Sequence, residues 1–330
     1  MIDFQKNLVS VIITTRNRPE LLRSAIKSVL NQTYESIEIF VVDDCSSTNT
    51  KAVVESYFDR VTFIQHDRRL GTAAARMSGA RRAKGNYIAF LDDDDMWRSN
   101  KIEKQLRIAE TSGNNCAVVT CGAIIYNDNK EIYSYPTLEG LIREGIFKSG
   151  FKTIPSNHFF NKKIFDRIGG YDSSLLAHEE HDIWMKLAKA NYETRVVKEP
   201  LVIIHEYDRV RKMTDVSIRI SAFEMFYNKW KSYVFKWYGK SKAKRILNNY
   251  MVSIYLMNAS LMEEVGDRRG ARLFSRKVPK YVFLLSLNSQ TLKLFYRMSY
   301  YFLPVPVTNF YKNLKSKYSK LKFERSSQIG

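Results

Sequence analysis

The sequence predicts an α/β fold whose sheet is parallel in its first half and mixed in its second half, followed by an α-helical C-terminal region. Short β-branched runs alternate with helical patterns over the first hundred residues, which is typical of βαβ units. From about Ser217 onward the pattern is almost entirely helical, with breaks at glycine and proline. The chain therefore divides into predicted domains of residues 1–215 and 216–330.

Each element of the first domain is predicted from its local pattern. The first helix starts at Pro19, after which apolar residues recur on one face. The predicted strands are Leu8–Thr14, Ile37–Val42, Val61–Gln65, Tyr87–Leu91, Ala117–Tyr126, Glu131–Tyr135 and Arg195–Glu206. The predicted helices are Pro19–Leu30, Asn49–Phe58, Thr72–Ala83, Ile102–Thr111 and Asp182–Ala190. The later strands are expected to add antiparallel pairs to the same sheet.

Charge is unevenly distributed along the chain. The formal net charge is +19, and residues 206–330 hold 25 of the 53 Lys and Arg but only 8 of the 34 Asp and Glu. Such asymmetry indicates an anionic partner, either a membrane leaflet or a nucleic acid. The three cysteines form no CxxC pair, which favours a reducing compartment over a disulfide scaffold. The N-terminus does not have the pattern of a secretory signal peptide.

Polar clusters follow three of the predicted strands. They are Thr14–Asn17, Asp43–Asp44 and Asp92–Asp95. In open α/β sheets, ligands bind outside the carboxyl ends of the strands. We therefore expect the three clusters to converge on one ligand-binding crevice.

Asp92 and Asp94 have the spacing of a D-x-D motif at the end of a buried strand. Alternate residues point the same way, so that two carboxylates can face one cation, and oxygen ligands suit Mg²⁺ or Mn²⁺. The sequence contains no glycine-rich phosphate loop, so a metal would have to neutralise any bound phosphates. The alternative is a solvated acidic turn.

Three further candidates have equally specific structural alternatives. Asp44 suits a ribose hydroxyl or a base N–H, but it also suits a helix N-cap. Glu179 and Glu180 precede a helix, where a carboxylate stays ionised and can accept a proton, but acidic first turns are commonplace. His205 follows an apolar strand and suits a metal or a phosphate, or a structural role. His178 and His181, which lie on either side of the two glutamates, lack a third ligand for zinc.

The segment Val307–Phe323 has an apolar stripe at helical spacing and five lysines on the remaining arc. A basic amphipathic helix of this kind is typical of proteins that bind an anionic membrane surface. The alternative is docking on its own domain with a solvated lysine face. The predicted location is therefore cytoplasmic, on the inner face of the cell membrane.

Three ordered blocks, Ser10–Ser46, Arg68–Trp97 and Gly169–Ala188, resemble the family 2 glycosyltransferases of the GT-A fold. The resemblance covers roughly Leu8–Tyr207. It implies an inverting transfer of a sugar from a nucleotide-sugar, most simply a UDP-sugar, to a hydroxyl of an acceptor. It also implies Mn²⁺ or Mg²⁺ as cofactor. Membrane affinity would favour a lipid-linked glycan as the acceptor, in surface polysaccharide synthesis.

The resemblance also implies a role for individual residues. Glu180 matches the catalytic base, although a family aspartate is replaced by glutamate, which keeps Glu179 open for that role. The residues implied in nucleotide binding are Thr14, Arg16, Asp44, Arg76, Asp92 and Asp93. The residues implied in metal binding are Asp94 and Asp92, to which His205 is added from its position after an apolar strand. The residues assigned near the donor sugar or acceptor are Asp95, Trp97 and Glu179.

Two alternatives remain open at this point. A metal-dependent nucleotidyltransferase would use the same carboxylates on a nucleoside triphosphate. A nucleic-acid-binding protein would use the basic C-terminal region, but the sequence contains no RNP motif, zinc finger or compact recognition helix, so we expect no nucleic-acid partner.

Overall fold

The structure, a computed structural model, describes residues 7–57, 59–127, 130–147, 154–205 and 215–282. Segment 307–323, which the sequence predicts to bind membranes, lies outside these residues. The described chain divides into two compact units, Met1–Phe226 and Tyr227–Gly330. The division falls inside a helix that begins at Val216, the first residue of the predicted second domain.

The first unit is built on one mixed sheet of ten strands. The strands are β1 (Val9–Thr15), β2 (Ile37–Asp43), β3 (Val61–Gln65), β4 (Tyr87–Asp92), β5 (Asp95–Trp97), β6 (Cys116–Asn127), β7 (Lys130–Ser134), β8 (Gly140–Leu141), β9 (Phe159–Asn161) and β10 (Glu193–His205). The helices of this unit are α1 (Pro19–Leu30), α2 (Thr50–Glu55), α3 (Thr72–Ala80), α4 (Lys101–Thr111), α5 (Ile142–Gly145), α6 (Lys162–Arg167) and α7 (Glu179–Lys189).

The order of the main strands is β3-β2-β1-β4-β9-β6-β10-β5, with β7 paired to β6 and β8 paired to β10. Strands β1 to β4 are mutually parallel, and β6 is parallel to β10. Strand β9 is antiparallel to both β4 and β6, while β5, β7 and β8 add further antiparallel pairs. This confirms the predicted change from a parallel to a mixed sheet.

The core of the first unit lies between the sheet and the helices that connect its strands. Strand β1 is buried along its whole length. Its near-continuous apolar run is typical of a strand that is covered on both faces. Helix α3 lies close to the sheet because Gly79 has no side chain. A Cβ atom on Gly79 would lie 2.7 Å from Cγ2 of Ile12. This close packing fixes the helix that carries Arg76.

The second unit is helical. The helices are α8 (Val216–Tyr238), which the two units share, α9 (Lys240–Glu264), α10 (Arg268–Ser275) and α11 (Pro279–Val282). The side chain of Asp267 accepts a hydrogen bond from the N–H of Gly270 and so caps α10. Tyr255 of α9 stacks on Tyr281 with 5.8 Å between ring centroids, which packs α9 against α11. In the described part of the chain, no helix has both the length and the apolar character needed to cross a bilayer.

Candidate active site

The ends of three parallel strands bring the predicted polar clusters together. In the register of the sheet, Thr15 pairs with Asp43 and Thr14 pairs with Asp92. The turn after β1 is joined to the turn after β2, because Asn17 adopts a positive φ of 57° and its side chain accepts the N–H of Ser47 at 2.7 Å. The predicted convergence on one edge of the sheet is therefore confirmed.

Asp92, Asp94 and Asp95 form a group that could hold a metal ion. One carboxylate oxygen from each lies within 4.8 Å of the others, and it is the only such group of three or more among the described residues. Three carboxylates on one side are the donor set that Mg²⁺ and Mn²⁺ prefer. The sequence assigned Asp92 and Asp94 to the metal and Asp95 to the donor sugar, and the structure adds Asp95 to the group.

Asp93 is not a member of this group, and its carboxylate has other partners. It is 5% exposed and accepts hydrogen bonds from the Thr15 hydroxyl at 2.8 Å, the Arg16 N–H at 3.4 Å and the Arg18 guanidinium at 3.0 Å. Burial raises the pKa of Asp93 to about 6, although Arg18 and Thr15 oppose the rise. Its carboxylate holds the turn after β1, and its assignment to nucleotide binding stays a prediction.

A serine holds the two ends of the aspartate run in place. The hydroxyl of Ser156 accepts the N–H of Asp92 at 3.2 Å and donates to Oδ2 of Asp95 at 2.5 Å. Its backbone oxygen accepts the indole N–H of Trp97 at 2.7 Å. Ser156 is completely buried, so these bonds fix the relative positions of Asp92 and Asp95.

Trp97 supports the site from inside the protein. It is 4% exposed, and Nζ of the buried Lys101 lies 3.8 Å from the centroid of its ring. The sequence assigned Trp97 to the donor sugar or acceptor. The indole is enclosed and its N–H is already bonded, and the role of Trp97 near the donor sugar or acceptor stays a prediction.

Arg76 joins the carboxylate group to the candidate base. It is 2% exposed, and its Nη2 lies 2.8 Å from Oδ1 of Asp92, while its Nη1 lies 3.3 Å from Glu179 and 3.0 Å from Glu180. Its guanidinium also lies over the ring of Tyr171, at 5.3 Å. Arg76 was assigned to nucleotide binding. Its guanidinium is buried among three carboxylates, and the nucleotide-binding role of Arg76 stays a prediction.

Helix α7 presents the two candidate bases. It begins at Glu179, so both Glu179 and Glu180 lie in its first turn, where the helix dipole favours a negative charge. Burial raises the pKa of the Glu180 carboxyl, the Arg76 guanidinium opposes that rise, and the carboxylates of Glu179 and Asp92 add to it. A partly buried carboxylate with a raised pKa suits a general base, and Glu180 keeps 20% of its side chain exposed.

Asp44 holds the turn that precedes α3. Its two carboxylate oxygens accept the backbone N–H groups of Leu70 at 2.7 Å and Gly71 at 2.9 Å, and His66 Nδ1 lies 2.9 Å from Oδ1. Gly71 has a φ of 91°, a conformation that favours glycine. The role of Asp44 in recognising a base or ribose stays a prediction. Thr14 lies beside Asp92 in the sheet, and Arg16 is exposed at the same edge.

The histidines are less directly placed for metal binding. His205 ends β10, and its ring stacks on Tyr126 with 5.2 Å between centroids. The residue before it, Ile204, pairs with Asp95, but His205 is not part of the three-carboxylate group. The rings of His178 and His181 stack on each other at 4.2 Å. The metal role of His205 stays a prediction.

Sequence reasoning missed several residues of the site. Arg18 bridges Asp93 and Asp94, Thr15 binds Asp93, and Ser156 binds Asp95. Thr15 is the last residue of β1 and belongs to the polar cluster Thr14–Asn17, and Arg18 directly follows that cluster, which is the signal that could have found them. Nothing local to Ser156 identifies it, since its partner lies 61 residues earlier in the chain.

Solved structures with a similar fold include a complex with UDP-GlcNAc and a mannosyltransferase. S. aureus TarS 1-349 in complex with UDP-GlcNAc superposes with a TM-score of 0.64 at 16% identity, covering 88% of this chain and 87% of TarS. The mannosyltransferase PcManGT from Pyrobaculum calidifontis, in complex with GDP-Man and Mn²⁺, superposes with a TM-score of 0.51 at 14% identity, covering 93% and 84%. At this identity the likeness concerns the fold. Together with the carboxylates at the strand ends, it defines a protein of the GT-A fold class.

Sequence relatives are glycosyltransferases as well. The sequence profile described as "Glycosyl transferase family 2" matches residues 10–171. An uncharacterized glycosyltransferase of Haemophilus influenzae is 30% identical over 203 residues, which are 59% of this chain and 67% of the relative. The putative colanic acid biosynthesis glycosyl transferase WcaA of Escherichia coli is 28% identical over 276 residues, covering 81% and 96%. The chain belongs to glycosyl transferase family 2.

An uncharacterized glycosyltransferase of Rickettsia prowazekii is 31% identical over 190 residues, or 56% of this chain. The match spans only 59% of the length of that relative.

Proposed function

We propose that the protein is an inverting, metal-dependent glycosyltransferase that moves a sugar from a UDP-sugar to a hydroxyl of a glycan acceptor. The observation that carries this proposal is the Arg76 bridge. One guanidinium pairs with Asp92 of the carboxylate group and with Glu180 on α7. A candidate proton acceptor and a cluster that suits a metal-bound diphosphate therefore pair with the same buried cation, which supports a reaction between an acceptor hydroxyl and a diphosphate-linked sugar at this place.

The carboxylates of Asp92, Asp94 and Asp95 fit a divalent cation by number, charge and spacing. A Mg²⁺ or Mn²⁺ ion bound there would stabilise the negative charge of the departing diphosphate. The remaining chemistry belongs to the chain. Glu180 accepts the proton of the acceptor hydroxyl as that oxygen attacks the anomeric carbon from the face opposite the leaving group, which inverts the anomeric centre.

The nucleotide is expected along the edge formed by the ends of β1, β2 and β4. Arg16 is exposed there and can pair with a phosphate. Thr14 and Asp44 are buried at the same edge, and we propose that they contact the nucleoside. The solved structure of TarS with UDP-GlcNAc supports a UDP-sugar as the first donor to test. The complex of PcManGT with GDP-Man makes a GDP-sugar the second.

The acceptor is proposed from the relatives. WcaA of Escherichia coli is described as a colanic acid biosynthesis enzyme, and TuaG of Bacillus subtilis, 38% identical over 104 residues, as a teichuronic acid biosynthesis enzyme. Both names support a surface polysaccharide. The basic amphipathic segment 307–323 supports an acceptor linked to a lipid, with the protein on the inner face of the cell membrane.

A nucleotidyltransferase is the second candidate, because the same three carboxylates would also suit the triphosphate of its substrate. Nucleic-acid binding by the C-terminal region is the third. The presence of Glu180 beside the cluster favours glycosyl transfer, because attack by an acceptor hydroxyl requires a base at that place.

A thermal-shift screen tests the proposal. A ligand that binds only the folded state raises the Tm. UDP-sugars or GDP-sugars with Mn²⁺ are expected to raise it, whereas nucleoside triphosphates and oligonucleotides are not. Asp94→Ala should lose the shift with its fold intact. A shift produced by triphosphates and not by nucleotide-sugars would replace the proposal with the nucleotidyltransferase.

A further inference from the structure

Arg18 lies beside the carboxylate group and pairs with one of its members, Asp94. It precedes Pro19 at the start of α1, and its Nη1 lies 3.0 Å from Oδ1 of Asp93 and 3.0 Å from Oδ2 of Asp94. Its side chain is 30% exposed, whereas Arg76, on the other side of the group, is 2% exposed and held by three carboxylates. The two arginines therefore differ in their freedom to move.

The Asp94 carboxylate has two possible partners, a divalent cation and Arg18. It belongs to the group that fits a divalent cation, and it is also the partner of Arg18. A cation bound to the Asp94 carboxylate would sit about 2 Å from its oxygen. A guanidinium nitrogen 3.0 Å from Oδ2 of the same carboxylate would then lie only a few ångströms from the metal, where two positive charges repel each other strongly.

We propose that Arg18 is a resident counter-ion of the carboxylate group, which pairs with Asp94 in the metal-free protein and releases it when a divalent cation binds. This inference rests on the metal site of the proposed function. Arg18 weakens the binding of a bare cation, because the cation must displace it. A nucleoside diphosphate offsets this loss of metal affinity, because the guanidinium released from Asp94 can pair with phosphate oxygens.

The competing explanation is that Arg18 only holds Asp94 in a geometry that ligates metal. The two explanations predict opposite signs. If Arg18 competes with the cation, then its removal strengthens the binding of the bare cation. If it only positions Asp94, then its removal weakens binding, as the loss of a supporting contact does at other metal sites.

The test is a Mn²⁺ titration of the full chain, followed by the EPR signal of the free ion, without and with UDP. Arg18→Gln is expected to bind bare Mn²⁺ about tenfold more tightly than the unmodified protein, a coupling of ordinary size. Arg18→Lys keeps a positive charge and is expected to stay within about threefold of the unmodified protein. UDP should increase the Mn²⁺ affinity of the unmodified protein by a larger factor than that of Arg18→Gln.

Arg23→Gln is the matched control. It removes an arginine from α1, the helix that Arg18 precedes, where Arg23 is 40% exposed and its Nε lies 3.8 Å from Oε2 of Glu20. It should leave Mn²⁺ affinity unchanged, which separates a local contact from a change in net charge. Circular dichroism checks the fold of each variant, and Arg18→Met, which keeps an apolar stem, replaces the glutamine variant if that one unfolds.

An Arg18→Gln protein that binds bare Mn²⁺ no better than the unmodified protein overturns the inference and leaves the proposed metal site standing. If no protein binds Mn²⁺ even with UDP, the metal site of the proposed function fails and the inference fails with it. If Arg18→Gln binds bare Mn²⁺ and the unmodified protein does not, the inference is supported in its strongest form.

Discussion

Nη1 of Arg76 lies 3.0 Å from Oε1 of Glu180, and Nη2 of the same guanidinium lies 2.8 Å from Oδ1 of Asp92. Burial of an arginine is costly unless its charge is paired, and three carboxylates compensate it here. Arg76 therefore holds the candidate base Glu180 in position and lowers the pKa of its carboxyl.

The first prediction concerns Arg76→Met. Because Arg76 lowers the pKa of Glu180, its removal should move the acid limb of the pH–rate profile to higher pH, and about a hundredfold of the rate should be lost near pH 7. Arg76→Lys keeps the charge and should shift the limb less. The measurement is UDP release against pH with the donor found in the screen.

A rise in KM for the donor without a shift of the acid limb would instead support the nucleotide-binding role that the resemblance implied for Arg76. Thermal denaturation of both variants separates this result from a loss of fold, since removing Arg76 leaves buried carboxylates without their partner.

The second prediction separates the two glutamates. Glu180→Gln should lower turnover by at least about a hundredfold with little change in the affinity for nucleotide, because an amide cannot accept the proton. Glu179→Gln is the matched control, since Glu179 pairs with the same nitrogen of Arg76 at 3.3 Å. If Glu179→Gln loses turnover while Glu180→Gln keeps it, then the base is Glu179.

Much of the fold could be predicted because its signals are local. Helix α1 and strand β3 have the predicted bounds, since Pro19 fixes a helix start and Val61–Gln65 is a compact β-branched run. Strand β5 could not be predicted. It is three residues long and begins inside the aspartate run, and its pairing partner, β10, lies about a hundred residues later.

The candidate site was predictable by type but not in detail. The sequence identified the aspartate run and the glutamate pair, because strand ends and helix starts are visible in it. It could not tell which arginine would be buried. The close packing of α3 on β1 at Gly79 places Arg76 inside, whereas the loop before α1 leaves Arg18 partly exposed. Both outcomes depend on tertiary packing.

The third prediction concerns Asp93→Asn. The pKa of Asp93 is about 6 in the folded protein and 3.8 in the reference state, so the folded protein binds the extra proton and becomes less stable as pH rises through this range. Asparagine removes that titration. The Tm of Asp93→Asn relative to the unmodified protein should therefore rise between pH 5 and pH 8, by the equivalent of roughly 1 to 1.5 kcal/mol.

Differential scanning calorimetry at several pH values, without added metal, provides the measurement. A variant whose loss of stability grows as the pH rises would show that the pairing of Asp93 with Arg18 and Thr15 outweighs the cost of burying its charge.

The fourth prediction concerns Ser156→Ala. Without the hydroxyl, the N–H of Asp92 and Oδ2 of Asp95 each lose a bonded partner. The Mn²⁺ affinity should then fall by about tenfold or more, as expected for a residue that orients metal ligands. Isothermal titration calorimetry with Mn²⁺ measures the change.

Ser174→Ala is the control for Ser156→Ala. The Ser174 hydroxyl also donates to an aspartate, Asp172, at 2.6 Å, but it is exposed and remote in sequence from the aspartate run. Its Mn²⁺ affinity should equal that of the unmodified protein. Equal affinity for Ser156→Ala as well would mean that the metal does not depend on Asp95.

The fifth prediction concerns the segment 307–323. Replacing its five lysines by glutamine keeps the apolar stripe and removes the positive arc formed by Lys312, Lys315, Lys317, Lys320 and Lys322. Each basic residue near an anionic surface contributes about 1 kcal/mol, so binding to vesicles with phosphatidylserine should fall by several hundredfold or more. Co-sedimentation with anionic and with neutral vesicles measures the change.

Deletion of residues 307–330 should reduce the binding to anionic vesicles at least as far as the lysine replacement does, because it removes the apolar stripe as well. If the deletion variant still sediments with anionic vesicles as the full chain does, then the segment is not the membrane contact. The remaining basic residues of the C-terminal third would then be the next to replace, since that third carries most of the net positive charge.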